Sequence, residues 1–174
     1  LFVIDPKPLE AKLAEAEELN ADARGQIEAI GRSQAVIEFE LDGTIRTAND
    51  HFLNAMGYSL PEIQGKHHRM FVDRETAGSP DYAALWAGLG RGEFQAGEFK
   101  RVAKGGREVW IRATYNPIFD ERGKPIKVVK YATDITEQVV SKRRLESGVD
   151  ALLAVTAAAS EGDLTVEVEV SGED

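Results

Sequence analysis

Chemistry at a protein site needs a nucleophile, a metal ligand, a proton carrier or a flat aromatic surface. This sequence holds few of them. Histidine occurs at His51, His67 and His68. A haem iron held by imidazole would have to use one of these three. Neighbouring residues of an extended segment point to opposite sides, so at most one of His67 and His68 faces inward. The plainer alternative makes both of them surface or capping residues beside a turn. Cysteine is absent. That removes disulfides, thiolate-bound zinc, iron–sulfur clusters and any cysteinyl flavin adduct. The serines fall in linkers, caps and helices with no nucleophile elbow. There is no Gly-x-Gly-x-x-Gly and no phosphate loop ending in Gly-Lys-Ser/Thr. The chain therefore reads as non-enzymatic. Trp86 and Trp110 supply the largest aromatic surfaces, although a tryptophan on a half-buried strand is ordinarily core.

The elements that must position these groups are set by composition and period. The chain has 174 residues, 43% hydrophobic and 29% charged, with a formal net charge of −9. That suits one domain with attachments. Residues 1–34 carry 4 basic and 7 acidic side chains, residues 35–136 carry 14 of each, and residues 137–174 carry 3 and 9. A neutral middle with acidic flanks argues against nucleic acid and against an anionic membrane surface, which both demand clustered Lys and Arg. No apolar run approaches the roughly 20 residues that span a bilayer. No secretory signal opens the chain, and both ends read as cuts from something longer. A reducing, cytoplasmic setting is expected.

Residues 1–33 read as a helix entered at Pro6 and Pro8. Leu9, Leu13, Ala16, Asn20, Ala23, Ile27 and Ile30 follow steps of 4 and 3, a heptad seam with one polar member. Such a seam predicts a homodimer through a short coiled coil. The alternative is an amphipathic helix lying on its own globule. From residue 34 the period becomes 2. Val36–Leu41, the Asp42-Gly43 turn and Thr44–Thr47 predict a hairpin. Ser79 and Pro80 predict the start of a helix that Gly90 and Gly92 stop. Three strand patterns follow, at 93–103, 107–118 and 126–136. Two strands, helices, then three strands predict an α+β fold, one antiparallel sheet with helices on one face. Residues 137–161 read as a second helix, with Leu145, Val149, Leu152, Thr156 and Ala159 in the same 4 and 3 spacing.

Several short motifs occur in order: Asp42-Gly-Thr-Ile45, Thr47-Ala-Asn-Asp50, Met56-Gly-Tyr-Ser59, Glu62-Ile-Gln-Gly65, Phe99–Arg107, Trp110-Ile111, Asn116-Pro-Ile118 and Asp134-Ile-Thr136. Together they resemble a PAS sensor domain over residues 34–136, with a five-stranded sheet. Gly65–Phe71 resembles the PAS domains of bacterial methyl-accepting chemotaxis receptors. Gly162–Val168 resembles the connector of a HAMP signalling module, so 137–161 takes the place of its first helix and 162–174 of a partial connector.

The resemblance implies a sensor that passes a change in its pocket to a downstream helix. It places His67 and His68 near a ligand pocket. It also matches Trp110 to an aromatic that lines the flavin site of some PAS receptors, where Asn49 and Asn116 could hydrogen-bond a flat ring. The helix 79–90 contains no histidine, so a helix-borne haem ligand is missing. The cofactor stays open between haem, flavin and none. Asp134 and Thr136 close the last strand; in the resembled family this triplet couples the sensor to its output. Thr136 suits an N-cap, and Asp134 could pair with a nearby base. The implied partners are a second copy and the HAMP and signalling regions of the same chain. The competing reading is a ligand-free dimerisation module whose pocket is filled by its own side chains.

Overall fold

The structure, a computed structural model, describes residues 7–160. Residues up to Thr133 form one unit and those from Asp134 a second. The first begins with helix α1 (Lys7–Gly31). Strands β1 (Ala35–Phe39) and β2 (Ile45–Ala48) make the expected hairpin. Four short helices follow: α2 (Asp50–Met56), α3 (Leu60–Ile63), α4 (Arg74–Ala77) and α5 (Pro80–Arg91), with a 3-10 turn at His68–Phe71. Strands β3 (Gln95–Val102), β4 (Glu108–Phe119) and β5 (Pro125–Asp134) complete a five-stranded sheet in the order β2-β1-β5-β4-β3. The paired strands β1·β2, β1·β5 and β3·β4 are antiparallel.

The helix α5 starts where its sequence predicts, but it runs through Gly90, one of its two expected stops, and ends at the other. The Ser79 hydroxyl accepts from the Tyr82 N–H, Pro80 opens the first turn, and Gly92 ends it in the left-handed region at φ 92°. The core lies between the short helices and one face of the sheet. Phe52, Met56, Ile63, Phe71, Trp86 and Leu89 meet Ile37, Phe39, Val109, Ile111, Tyr115 and Val128 there. Period-2 alternation on β4 decides the faces: Val109, Ile111, Ala113 and Tyr115 are buried, and the residues between them are not.

Asn49 joins three elements. Its amide N–H groups donate to the Gly31 and Gln34 carbonyls, and its Oδ1 accepts from the Val36 and Phe52 N–H groups, all at 2.8–3.0 Å. The end of α1, the start of β1 and the first turn of α2 are thereby tied to one side chain.

Every residue of α1 from Leu9 to Ile30 is exposed. Leu9 is 73% and Ile27 64% accessible, so the seam is not laid on its own globule. The second unit is the end of β5 and helix α6 (Thr136–Ser160). Along α6, Leu145, Val149 and Leu152 are also exposed. The 162–174 stretch with its HAMP-like connector lies outside the described residues.

Candidate functional site

The most strongly perturbed chemistry gathers around His68. Its predecessor His67 is extended and N-caps the 3-10 turn that His68 begins, and both rings lie against Tyr82 and Trp86. His68 is fully buried, whereas His67 stays at the edge of the fold. The His67 Nε2–H donates to the Asp42 carbonyl at 2.7 Å, and its Nδ1 accepts from the Arg69 N–H. This closes the segment against the β1–β2 turn. Gly43 there has φ +90°, and a Cβ on it would lie 2.8 Å from His67 Nε2 and 2.9 Å from the Trp86 ring. The site needs glycine both for the turn and for the approach.

His68 Nδ1 lies 2.9 Å from the Tyr82 hydroxyl, and Nε2 lies 3.1 Å from the Tyr115 hydroxyl. Arg101 Nη2 donates to that same Tyr115 oxygen at 3.0 Å. Phe39, Phe71 and Trp86 surround the imidazole edge-on, and the Tyr82 ring stacks on it. The proton arrangement with fewest buried orphans runs one way. Arg101 donates to Tyr115, Tyr115 donates to His68 Nε2, and His68 Nδ1–H donates to Tyr82. Burial first, then Lys130 and Arg101, hold His68 well below the ordinary imidazole range, so it is neutral as this arrangement requires. Burial pushes both tyrosines up; beside Tyr115, Arg101 opposes that push.

Two further cationic side chains are buried here. Arg101, on β3, is 5% exposed and Lys130, on β5, 1%. The Lys130 ammonium sits over the Tyr115 ring, 4.9 Å from its centroid, and 5.9 Å from that of Phe52. Burial and then Arg101 lower its pKa well below the usual lysine range. The Arg101 guanidinium stacks 4.7 Å from the Phe99 centroid, and Nη1 donates to the Lys100 carbonyl. Its Nε–H has no hydrogen-bond partner. The Trp86 indole N–H likewise meets no acceptor at hydrogen-bond geometry, although its nearness to Tyr82 offsets part of that phenol's upward push.

The six residues expected to line a cofactor do not converge. His68 and Trp86 share the core, their ring centroids 5.4 Å apart, and His67 flanks them. Trp110 and Asn116 occupy the even, opposite phase of β4 from Tyr115. The Asn116 amide donates to Thr114 and to the Val129 carbonyl. Asn49 spends all four of its hydrogen-bonding positions on the backbone. Both nitrogens of His67 and of His68 are engaged, so no imidazole of the pair offers iron a lone pair, and the pair does not fit a haem. The flavin contacts expected from Trp110, Asn49 and Asn116 are likewise not assembled.

At the exit of β5, Thr136 is the first residue of α6 rather than its N-cap. The Asp134 carboxylate makes the cap, accepting the Thr136 N–H at 2.8 Å. The expected base for Asp134 is replaced by this backbone donor. Arg101, Tyr115, Tyr82 and Lys130 were not singled out from the sequence. The signal was the strand phase: Arg101 shares it with Phe99 and Ala103, and Lys130 with Val128 and Ala132.

A sheet packed against short helices, with a polar cluster buried between the layers, makes this an α+β module. The chain matches the PAS fold over residues 45–132 and belongs to that family. It is 42% identical over 129 residues to the biofilm dispersion protein BdlA of Pseudomonas aeruginosa, covering 74% of this chain and 30% of that protein. It is 32% identical over 102 residues to the aerotaxis receptor of Escherichia coli, covering 59% of this chain and 20% of the receptor. The chain thus spans less than a third of these relatives. Among solved structures, an RNA-binding light-oxygen-voltage receptor superposes with a TM-score of 0.61 at 20% identity, over 75% of this chain and 38% of the receptor. A light-oxygen-voltage domain studied with a flavin analogue gives 0.57 at 22%, over 72% and 95%. These two likenesses are of fold.

Proposed function

We propose that this chain is the sensory and signal-transducing PAS module of a cytoplasmic chemoreceptor, and not an enzyme. The observation that carries the reading is the His68–Tyr82–Tyr115–Arg101 chain buried between sheet and helices, in a sequence similar to BdlA and to an aerotaxis receptor. A change at Tyr82 or Arg101 alters partners on β3, β4 and α5 together. Lys130, over the Tyr115 ring, lies on β5, and β5 runs on to Asp134 and into α6. In this reading Asp134 and Thr136 couple the sheet to α6, and α6 feeds a HAMP-type region and the receptor's signalling regions. Two copies pair through Leu9, Leu13, Ala16, Asn20, Ala23, Ile27 and Ile30, whose exposure leaves the seam free to take a partner helix.

The test uses the absence of cysteine. A Ser147→Cys spin label on α6 reports the inter-copy distance by pulsed electron resonance. Tyr115→Phe, which breaks the buried chain, shifts that distance by about 1–2 Å, the scale of signalling helix shifts. Asp134→Ala abolishes the shift. Identical distance distributions in all three proteins overturn the relay. They would favour the second reading, a dimerisation module with a self-filled interior, which the close packing of Phe39, Trp86 and His68 supports.

A further inference from the structure

Beside the His68 chain a cavity of about 690 Å³ opens between α4, α5 and β3. Tyr82, Leu85, Phe99 and Arg101 contribute to its wall. That volume is in the range of small-molecule sites. The cavity's buried polar lining residue is Arg101, with the half-buried Tyr82 beside it. Arg101 has five N–H donors, and the protein uses one hydrogen of Nη1 and one of Nη2. The Nε–H is orphaned on a side chain 5% exposed. The proton arrangement around His68 makes the Tyr82 oxygen an acceptor from Nδ1–H, which leaves the Tyr82 hydroxyl hydrogen to donate. Among the described residues no carboxylate is buried, and neither Arg101 nor Lys130 takes part in an ion pair. A buried guanidinium without an anion is an uncompensated charge.

We propose that this cavity binds a small organic monocarboxylate, its carboxylate received by Arg101 and the Tyr82 hydroxyl and its apolar body resting on Phe99 and Leu85. The proposal rests on the sensor reading above and names the chemical class sensed. Orphan N–H groups of a planar guanidinium match the two oxygens of a carboxylate, and the low dielectric at a buried arginine strengthens the pair. The half-buried Phe99 and Leu85 give the body an apolar wall. The rim sets the selectivity. Glu75 and Asp81 are exposed there, and Glu93 is already held by Arg91 at 2.7 Å. These carboxylates repel a multiply charged ligand at the mouth. A single charge on an apolar body passes them and reaches Arg101.

The probes are benzoate, its neutral counterpart benzamide, and inorganic phosphate, titrated calorimetrically into the whole chain. The Arg Nε–H resonances are followed in ¹⁵N-edited spectra. Benzoate binds one per chain, at least tenfold more tightly than benzamide or phosphate, and moves the Arg101 Nε–H resonance. Arg101→Gln and Tyr82→Phe each weaken benzoate binding tenfold or more. Because Arg101 also holds Tyr115, Leu85→Trp is the companion variant. It fills the cavity wall without touching the guanidinium and abolishes binding while the melting temperature stays near that of the parent. Absence of benzoate binding at millimolar concentration overturns the proposal. Equal binding of benzamide overturns the charge reading, equal binding of phosphate overturns the apolar body, and full binding by Leu85→Trp overturns the location. The spin-label experiment needs no added ligand, so the relay stands or falls independently.

Discussion

Tyr115→Phe removes one oxygen from the centre of the buried chain. The ring stays, so Phe99, His68 and Lys130 keep their aromatic neighbour. Two hydrogen bonds go: one to neutral His68 at 3.1 Å and one from charged Arg101 at 3.0 Å. A neutral bond contributes about 1 kcal/mol and a bond to a charged group about 1.5–3 kcal/mol, so the loss is about 3 kcal/mol. Both former partners stay buried, so water is poorly placed to replace the hydroxyl. For a domain of this size that loss lowers the melting temperature by at least about 10 °C. Urea unfolding followed by circular dichroism reads it as a lower midpoint with an unchanged slope. The cycle with His68→Leu assigns the His68 share, a coupling of about 1 kcal/mol. A loss below about 0.5 kcal/mol for Tyr115→Phe would refute the reasoning, because it would mean that the hydroxyl is not a shared partner of two buried groups.

Three further outcomes are expected. Gly43→Ala combines a left-handed backbone with a Cβ 2.8 Å from His67 Nε2, and a loss of about 1–3 kcal/mol in urea unfolding is expected; an unchanged midpoint would contradict the close approach. Glu62 accepts from the Ser59 N–H and hydroxyl and from Lys104, and its pKa falls from 4.5 to about 2, with the Lys104 bond as the first cause. A depressed carboxylate stabilises the fold above its unfolded pKa. The advantage of the parent over Glu62→Gln in thermal melts is therefore full at pH 6, fades from 4.5 down to 2, and shrinks in high salt because the group is exposed; a pH-independent difference would remove the linkage. Asn20→Leu removes the polar member of the α1 seam and changes the sedimenting species or raises its stability, whereas unchanged sedimentation and melting would sink the seam.

Much of the fold was legible because its signals are local. Ser79, Pro80 and Gly92 bound α5 by capping chemistry, and Asp42-Gly43 turns the first hairpin through a left-handed glycine. That only one of His67 and His68 is fully buried agrees with the expectation, but a 3-10 turn and not an extended stretch sets the pair, and both rings reach Tyr82 and Trp86. The interior of the site was harder to see because its members come from five separate stretches, and two of them are cations. A sequence reader assigns Arg101 and Lys130 to solvent, since charge is ordinarily exposed. Strand phase says otherwise and outranks residue type here. The same phase moves Trp110 off the Tyr115 face, where the family resemblance had suggested a pocket. Asn49 was read as a ring contact because an amide is chemically suited to one. Its actual partners, Gly31, Gln34, Val36 and Phe52, are backbone groups brought together by the fold, and no local pattern announces them.

The Asn49 junction gives α1 the mechanics of a lever. A helix of 25 residues is a rod of roughly 37 Å at 1.5 Å per residue. Its last carbonyl is pinned to the same side chain that holds the first strand and the first turn of α2. A tilt of about 3° at that fulcrum sweeps the far end through about 2 Å, by the length of the rod. Whatever grips α1 near Leu9 therefore acts on β1 and α2 with mechanical advantage.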